Sequence, residues 1–154
     1  MYVRSTGKDE LVRKRSFGYN KLIRIQKNLM EQKKILLVED DEMLAGLYAE
    51  KFEMEGYVVF IATNGFDGLK IANEKIPDFI LLDIIMPKMD GFVTLKRLKK
   101  NPKTKDIPVI LLTNLGQEDD VNKGRSLGAV DYFIKANHTP SEIVQKVKDL
   151  LKDE

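Results

Sequence analysis

Five short apolar runs, at residues 35–38, 58–62, 79–82, 109–112 and 130–134, broken only by Asp131 in the last, alternate with longer stretches of helical period. A strand with no polar alternation buries both of its faces, the pattern of parallel strands covered by helices on either side. Parallel neighbours need crossovers. The stretches at 42–55, 66–75, 91–100, 118–127 and 140–152 supply five candidate helices for them. Five βα units predict an α/β, doubly wound domain over residues 33–152, and 154 residues suit one core rather than two.

Local signals agree with this frame. Thr139, Pro140 and Glu142 read as a capping box, followed by a stripe of Ile143, Val144, Val147, Leu150 and Leu151. Gly56 follows the first helix of the repeat where a left-handed cap is wanted, and Asn64-Gly65, Asp90-Gly91 and Leu127-Gly128 mark later boundaries.

Acidic side chains collect at two strand ends: Glu39, Asp40 and Asp41 after the first, Asp83 after the third. Ligands bind at that edge of an open α/β sheet. Crowded carboxylates repel and take up protons unless a cation screens them. Magnesium suits the case, since it favours one or two carboxylates and commonly bridges to phosphate. Asp40 and Asp83 would supply the charge. A carboxylate can attack a phosphoryl donor to form an acyl phosphate. Thr113 after the fourth strand and Lys135 after the fifth could each hold a phosphoryl oxygen.

The segments LLVEDDE, LLDIIMPKMDG, VILLTN and GAVDYFIK, in this order and spacing, closely resemble the receiver domains of two-component response regulators. The resemblance covers roughly residues 33–151. It implies a flavodoxin-like, five-stranded parallel sheet of order 2-1-3-4-5, a phosphoacceptor at Asp83, and Mg2+ held by Asp40, Asp83 and the Ile85 backbone carbonyl, with Glu39 acting through water. It also implies Thr113 and Lys135 as the phosphate-sensing pair and Tyr132, with Thr113, as the switch. The donor it implies is a sensor histidine kinase or a histidine phosphotransfer protein, and the signal a phosphorylation-dependent protein interaction. Such a domain is not an enzyme beyond catalysing its own phosphorylation and dephosphorylation.

Four positions bear on how far the usual receiver pattern holds. Lys135 is followed by Ala136 instead of proline, so a trans bond is expected. Asn114 stands where a small residue is usual, which would either narrow the donor's path and slow acceptance or add a hydrogen bond to the phosphoryl group. Ile85 and Leu115 occupy the other lifetime-tuning positions, and neither side chain can orient water, so the phosphoryl state should be long-lived.

Taken singly, these residues have plainer readings. Asp41 or Glu42 reads as a helix N-cap, Thr113 as a strand-end residue, Lys135 as a surface cation and Tyr132 as a core aromatic. Only their joint register raises them. His138 has no partners at metal-ligand spacing and is read as an exposed loop residue. The methionines at 43, 54, 86 and 89 are read as packing.

Residues 1–32 carry eight Lys/Arg against three Asp/Glu, leaving 18 against 21 in the rest. This basic extension is read as disordered or weakly helical, a solvated tail rather than a membrane or nucleic-acid contact. Translation starting at Met30 is a further expectation, which N-terminal sequencing that finds Met1 rejects.

No apolar run approaches bilayer length and no secretory signal is visible, so no transmembrane segment and a cytoplasmic location are expected. The absence of cysteine excludes disulfides and thiolate metal sites. With the chain stopping at Glu154, no DNA-binding domain is expected, output passing to a separate protein target that the sequence does not name. A phosphorylation-dependent dimer is admitted. The runner-up function is a constitutive protein-binding receiver module without phosphotransfer. A phosphohydrolase is disfavoured because EDDE lacks a D-x-D arrangement, and a flavin site because three acids after the first strand would repel the cofactor phosphate.

Overall fold

The computed structural model describes residues 7–152, in two units that divide between Gln32 and Lys33. The first unit is a single helix, α1 (Gly7–Glu31), 25 residues long. Of the two readings of this extension, disordered or weakly helical, a helix is the one found over these residues. The reason is local: Lys, Arg, Leu, Gln and Glu dominate, no proline interrupts, and Gly18 is the one poor helix former in the interior. Six α-helices are therefore found among the described residues, where five were expected.

In the second unit the order is β1 (Lys34–Val38), α2 (Glu42–Met54), β2 (Val58–Ala62), α3 (Gly65–Lys75), β3 (Phe79–Leu82), α4 (Gly91–Lys100), β4 (Val109–Thr113), α5 (Glu118–Ser126), β5 (Asp131–Ile134) and α6 (Pro140–Lys152). All neighbouring strands pair in parallel, in the order β2-β1-β3-β4-β5. The apolar runs fail as strand markers only at their ends. Val130 is exposed and precedes β5, and Thr113 extends β4 by one residue.

Successive strand residues point to opposite faces, so each run feeds two cores. Leu36, Val38, Ile80, Leu82 and Leu111 pack with Ala72 of α3 and Leu95 and Leu98 of α4. Ile35, Leu37, Leu81, Ile110 and Phe133 pack with Tyr48 and Phe52 of α2 and with Ile143 and Val147 of α6. Most of these residues are wholly buried. Each such side chain stabilises the fold by about 1.5–3 kcal/mol before entropy is charged.

Helix caps fix where the chain turns at the carboxyl edge of the sheet. Asp41 accepts the Leu44 N–H at 3.0 Å, Asn64 that of Asp67 at 3.0 Å, and Asp90 that of Val93 at 2.9 Å. The Thr139–Glu142 box forms in both directions, at 3.2 and 2.7 Å. Each cap is worth about 1 kcal/mol. Gly91 opens α4 hard against β3, where a Cβ would collide with the Asp83 carbonyl oxygen and Ile84 Cα. Gly56 has φ 90° after α2, as its sequence position required.

Two lesser expectations change. Met43 and Met54 are exposed, while Met89 is buried and Met86 half-buried. His138 is half-buried, its ring meeting Phe133 edge-on with centroids 5.6 Å apart. The described peptide bonds are all trans, Lys135–Ala136 included, and a short 3-10 turn, Lys135–Asn137, follows β5.

Candidate functional site

Sheet hydrogen bonding continues one residue past β1 and β3. The Glu39 N–H donates to the Ala62 carbonyl at 2.9 Å and the Asp83 N–H to the Val38 carbonyl at 3.0 Å. Both acidic residues thus sit on rigid backbone. One carboxylate oxygen from each of Glu39, Asp40 and Asp83 lies within 4.8 Å of the other two. Glu39 and Asp83 are 2% and 7% exposed, whereas Asp40 faces solvent. Asp41 turns away to cap α2, and its N–H donates to Glu39 Oε1 at 3.2 Å.

Lys135 reaches in from the end of β5. Its Nζ donates to Asp83 Oδ2 at 2.9 Å and to Glu39 Oε2 at 2.5 Å. The other Asp83 oxygen, Oδ1, accepts the Ile84 N–H at 2.7 Å, so both oxygens of this carboxylate are oriented. Thr113, fully buried at the end of β4, stands on the same cavity wall. The cavity measures about 260 Å³; Asp40, Ile85 and Asn114 also line it.

Three carboxylates against one ammonium leave a surplus of negative charge. Burial pushes the Glu39 carboxyl above its ordinary range, and the Asp83 charge adds to this against the opposing Lys135 hydrogen bond. Burial would lower the Lys135 pKa, but hydrogen bonds to Glu39 and Asp83, with their charges, outweigh it and hold the ammonium above its ordinary value. The first direction is mainly the cost of burying a charge, the second the pull of the neighbouring carboxylates. An all-oxygen donor set with a charge deficit fits a hard divalent cation of the magnesium type.

Tyr132 and Leu115 lie outside the cavity. Tyr132 is buried, and its hydroxyl donates to the Leu115 carbonyl at 2.7 Å. Its ring packs beside Gly124 of α5, where an added Cβ would come within 3.2 Å. Burial, followed by the Asp120 and Asp83 charges, pushes the phenol up to about 12. Leu115 also donates its N–H to Thr113 Oγ1 at 3.4 Å and packs half-buried against the core. Of the three positions read as tuning lifetime, Ile85 and Asn114 therefore line the cavity and Leu115 does not. Leu44 lines it without having been anticipated; its place in the first turn of α2, directly after the acidic loop, was the available signal.

A parallel five-stranded sheet with a carboxylate cluster, a lysine and a threonine at its carboxyl edge defines a signalling domain of two-component systems. The chain belongs to the response regulator receiver domain family, whose model matches residues 35–148. It is 40% identical over 119 residues to the DNA-binding dual master transcriptional regulator RpaA of Synechocystis, covering 77% of this chain and 49% of that protein. The solved CheY-like receiver domain protein of Methanospirillum hungatei superposes with a TM-score of 0.74 at 27% identity, over 80% of this chain and 96% of that one. The Mn(2+)-bound form of response regulator Rcp1 does so at 0.66 and 31%, over 76% and 92%.

The chain spans about half the length of the curated relatives it matches. This corrects the expectation of no DNA-binding domain and a separate output target. RpaA is itself a DNA-binding regulator, so the position of Glu154 decides nothing about output. No described helix is long and apolar enough to cross a membrane.

Proposed function

We propose that Asp83 accepts a phosphoryl group from a histidine kinase or a histidine phosphotransfer protein. The observation that carries this reading is the buried Asp83 carboxylate, held by the Ile84 N–H and Lys135 beside two further acids, in a cavity that Thr113 also lines. An Asp83 oxygen attacks phosphorus, the N–P bond of the donor phosphohistidine breaks, and the imidazole departs with the electron pair and takes up a proton.

Bound Mg2+ would neutralise charge on the transferring group; Asp40, Asp83 and the Ile85 carbonyl would hold it directly, and Glu39 through water. That the similar response regulator Rcp1 has a Mn(2+)-bound form supports the choice of a divalent cation. Phosphorylation moves the negative charge from the Asp83 carboxylate to the phosphoryl oxygens, so Lys135 follows one of them while the Thr113 hydroxyl takes another.

Leu115 couples this event to the surface. Its N–H donates to Thr113 and its carbonyl accepts from Tyr132. Drawing Thr113 toward a phosphoryl oxygen loosens the first bond and frees Tyr132 to turn. The face of α5 and β5 then changes and becomes the phosphorylation-dependent interaction surface.

The test is intact mass after incubation with Mg2+ and a small-molecule phosphodonor, wild type beside Asp83→Asn. One added phosphoryl group in the wild type alone supports the reading. None in either protein, with Mg2+ binding verified, overturns it in favour of a constitutive binding module.

A further inference from the structure

We propose that α1 binds an anionic membrane surface, lying in the headgroup region with its apolar face toward the acyl chains. This does not depend on the role of Asp83. Leu22, Ile25 and Leu29 recur at the three- and four-residue spacing of one helix row, flanked by Ile23 and Met30. All five are exposed, from 45% at Ile23 to 86% at Met30. Arg24 falls opposite the apolar arc, and Lys21 and Lys27 lie along its two borders.

Charge selects the occupant. The helix carries seven Lys/Arg against three Asp/Glu. Glu10 and Glu31 pair within the helix, with Lys14 and Lys27 respectively. Lys21 and Arg24 have no acidic partner among the described residues. A basic polar face opposite an exposed apolar row, on a helix too polar to cross a bilayer, is the pattern of interfacial binding. Anionic lipid satisfies both faces at once.

A second copy of α1 would bring like charges together. Continued toward the N-terminus, its apolar seam also meets Gly18 and Arg15, where a coiled coil needs apolar residues. Nucleic acid would engage the basic side and leave the apolar row in water.

The experiment is flotation of the full chain with vesicles of phosphatidylglycerol and phosphatidylcholine, beside vesicles of phosphatidylcholine alone. The expected result is binding to the anionic vesicles only, weakening as salt rises. Leu22→Glu with Ile25→Glu should lower the bound fraction by about tenfold or more, with the thermal melt of the rest of the chain unchanged. Lys21→Gln with Arg24→Gln should weaken binding and flatten its salt dependence. No flotation at low salt, equal flotation with both lipids, or binding indifferent to Leu22→Glu with Ile25→Glu overturns the proposal. So does a dimer or a duplex-DNA complex formed without vesicle binding.

Discussion

The Lys135 Nζ lies 2.9 Å from Asp83 Oδ2 and is the cation that offsets the buried acids of this site. Replacing it with a neutral side chain leaves Glu39 and Asp83 facing each other uncompensated. Lys135→Met should destabilise the metal-free protein by about 3 kcal/mol, the low end for breaking a buried pair, because the cavity admits water. Mg2+ should restore part of that loss. Urea unfolding with and without Mg2+ measures both; a variant as stable as wild type without metal rejects the electrostatic account.

Glu39 makes the same balance depend on pH. Its carboxyl is held above the ordinary 4.5, first by burial. A raised acid binds its proton more tightly when folded. Its contribution to stability is therefore full below the ordinary value and is lost as pH rises through the raised one. Without metal, the urea midpoint of wild type relative to Glu39→Gln should fall across that window. With Mg2+, which favours the ionised form, the fall should disappear. A flat or rising difference in metal-free buffer contradicts the assignment.

Tyr132 offers a spectroscopic handle. Its phenol is pushed up to about 12, first by burial. It is neutral and bonded to Leu115 at ordinary pH, and its stabilising contribution is lost only as pH rises from about 10 through about 12. The wild type minus Tyr132→Phe difference spectrum should show one phenolate forming near 12, and the variant should lose about 1 kcal/mol with the hydrogen bond. Phosphorylation of Asp83 should shift the midpoint, because Tyr132 turns and both its burial and the charge it faces change. A midpoint unmoved by phosphorylation would separate Tyr132 from the site.

Much of this was legible because strand burial and side-chain chemistry follow short-range rules. The run 79–82, set among four others alternating with helical stretches, reads as a covered strand, which puts the acid following it at the ligand-binding edge. Partnerships between distant residues were not legible. Nothing near Leu115 in the sequence says that it sits behind Thr113 rather than in the cavity, because that depends on how the loop after β4 folds onto the core. Nor does composition separate a solvated basic tail from a continuous α1, since helix propensity is weak residue by residue and tells only in sum. Met43 and Met54 fell outside the core for a related reason: they sit on the solvent side of α2, and hydrophobicity alone does not fix a face.

Ile85 and Leu115 were read together as apolar positions that lengthen the phosphoryl state, and the structure separates them. Ile85 stands at the cavity mouth, 59% exposed, whereas Leu115 packs against the core. Hydrolysis of an acyl phosphate on Asp83 needs a water held in line with the bond to be broken. An isoleucine at the mouth supplies no hydrogen bond to hold it. An amide at the same place would. Ile85→Asn should therefore speed loss of the phosphoryl group on the order of tenfold, below what a true general base provides. Leu115→Met, acting on a side chain that does not reach the cavity, should leave the decay close to wild type. The check is the time course of phosphorylated mass after the donor is removed. Decay at the wild-type rate in Ile85→Asn would mean that water is positioned by some other group, with Asn114 on the same cavity wall the next residue to replace.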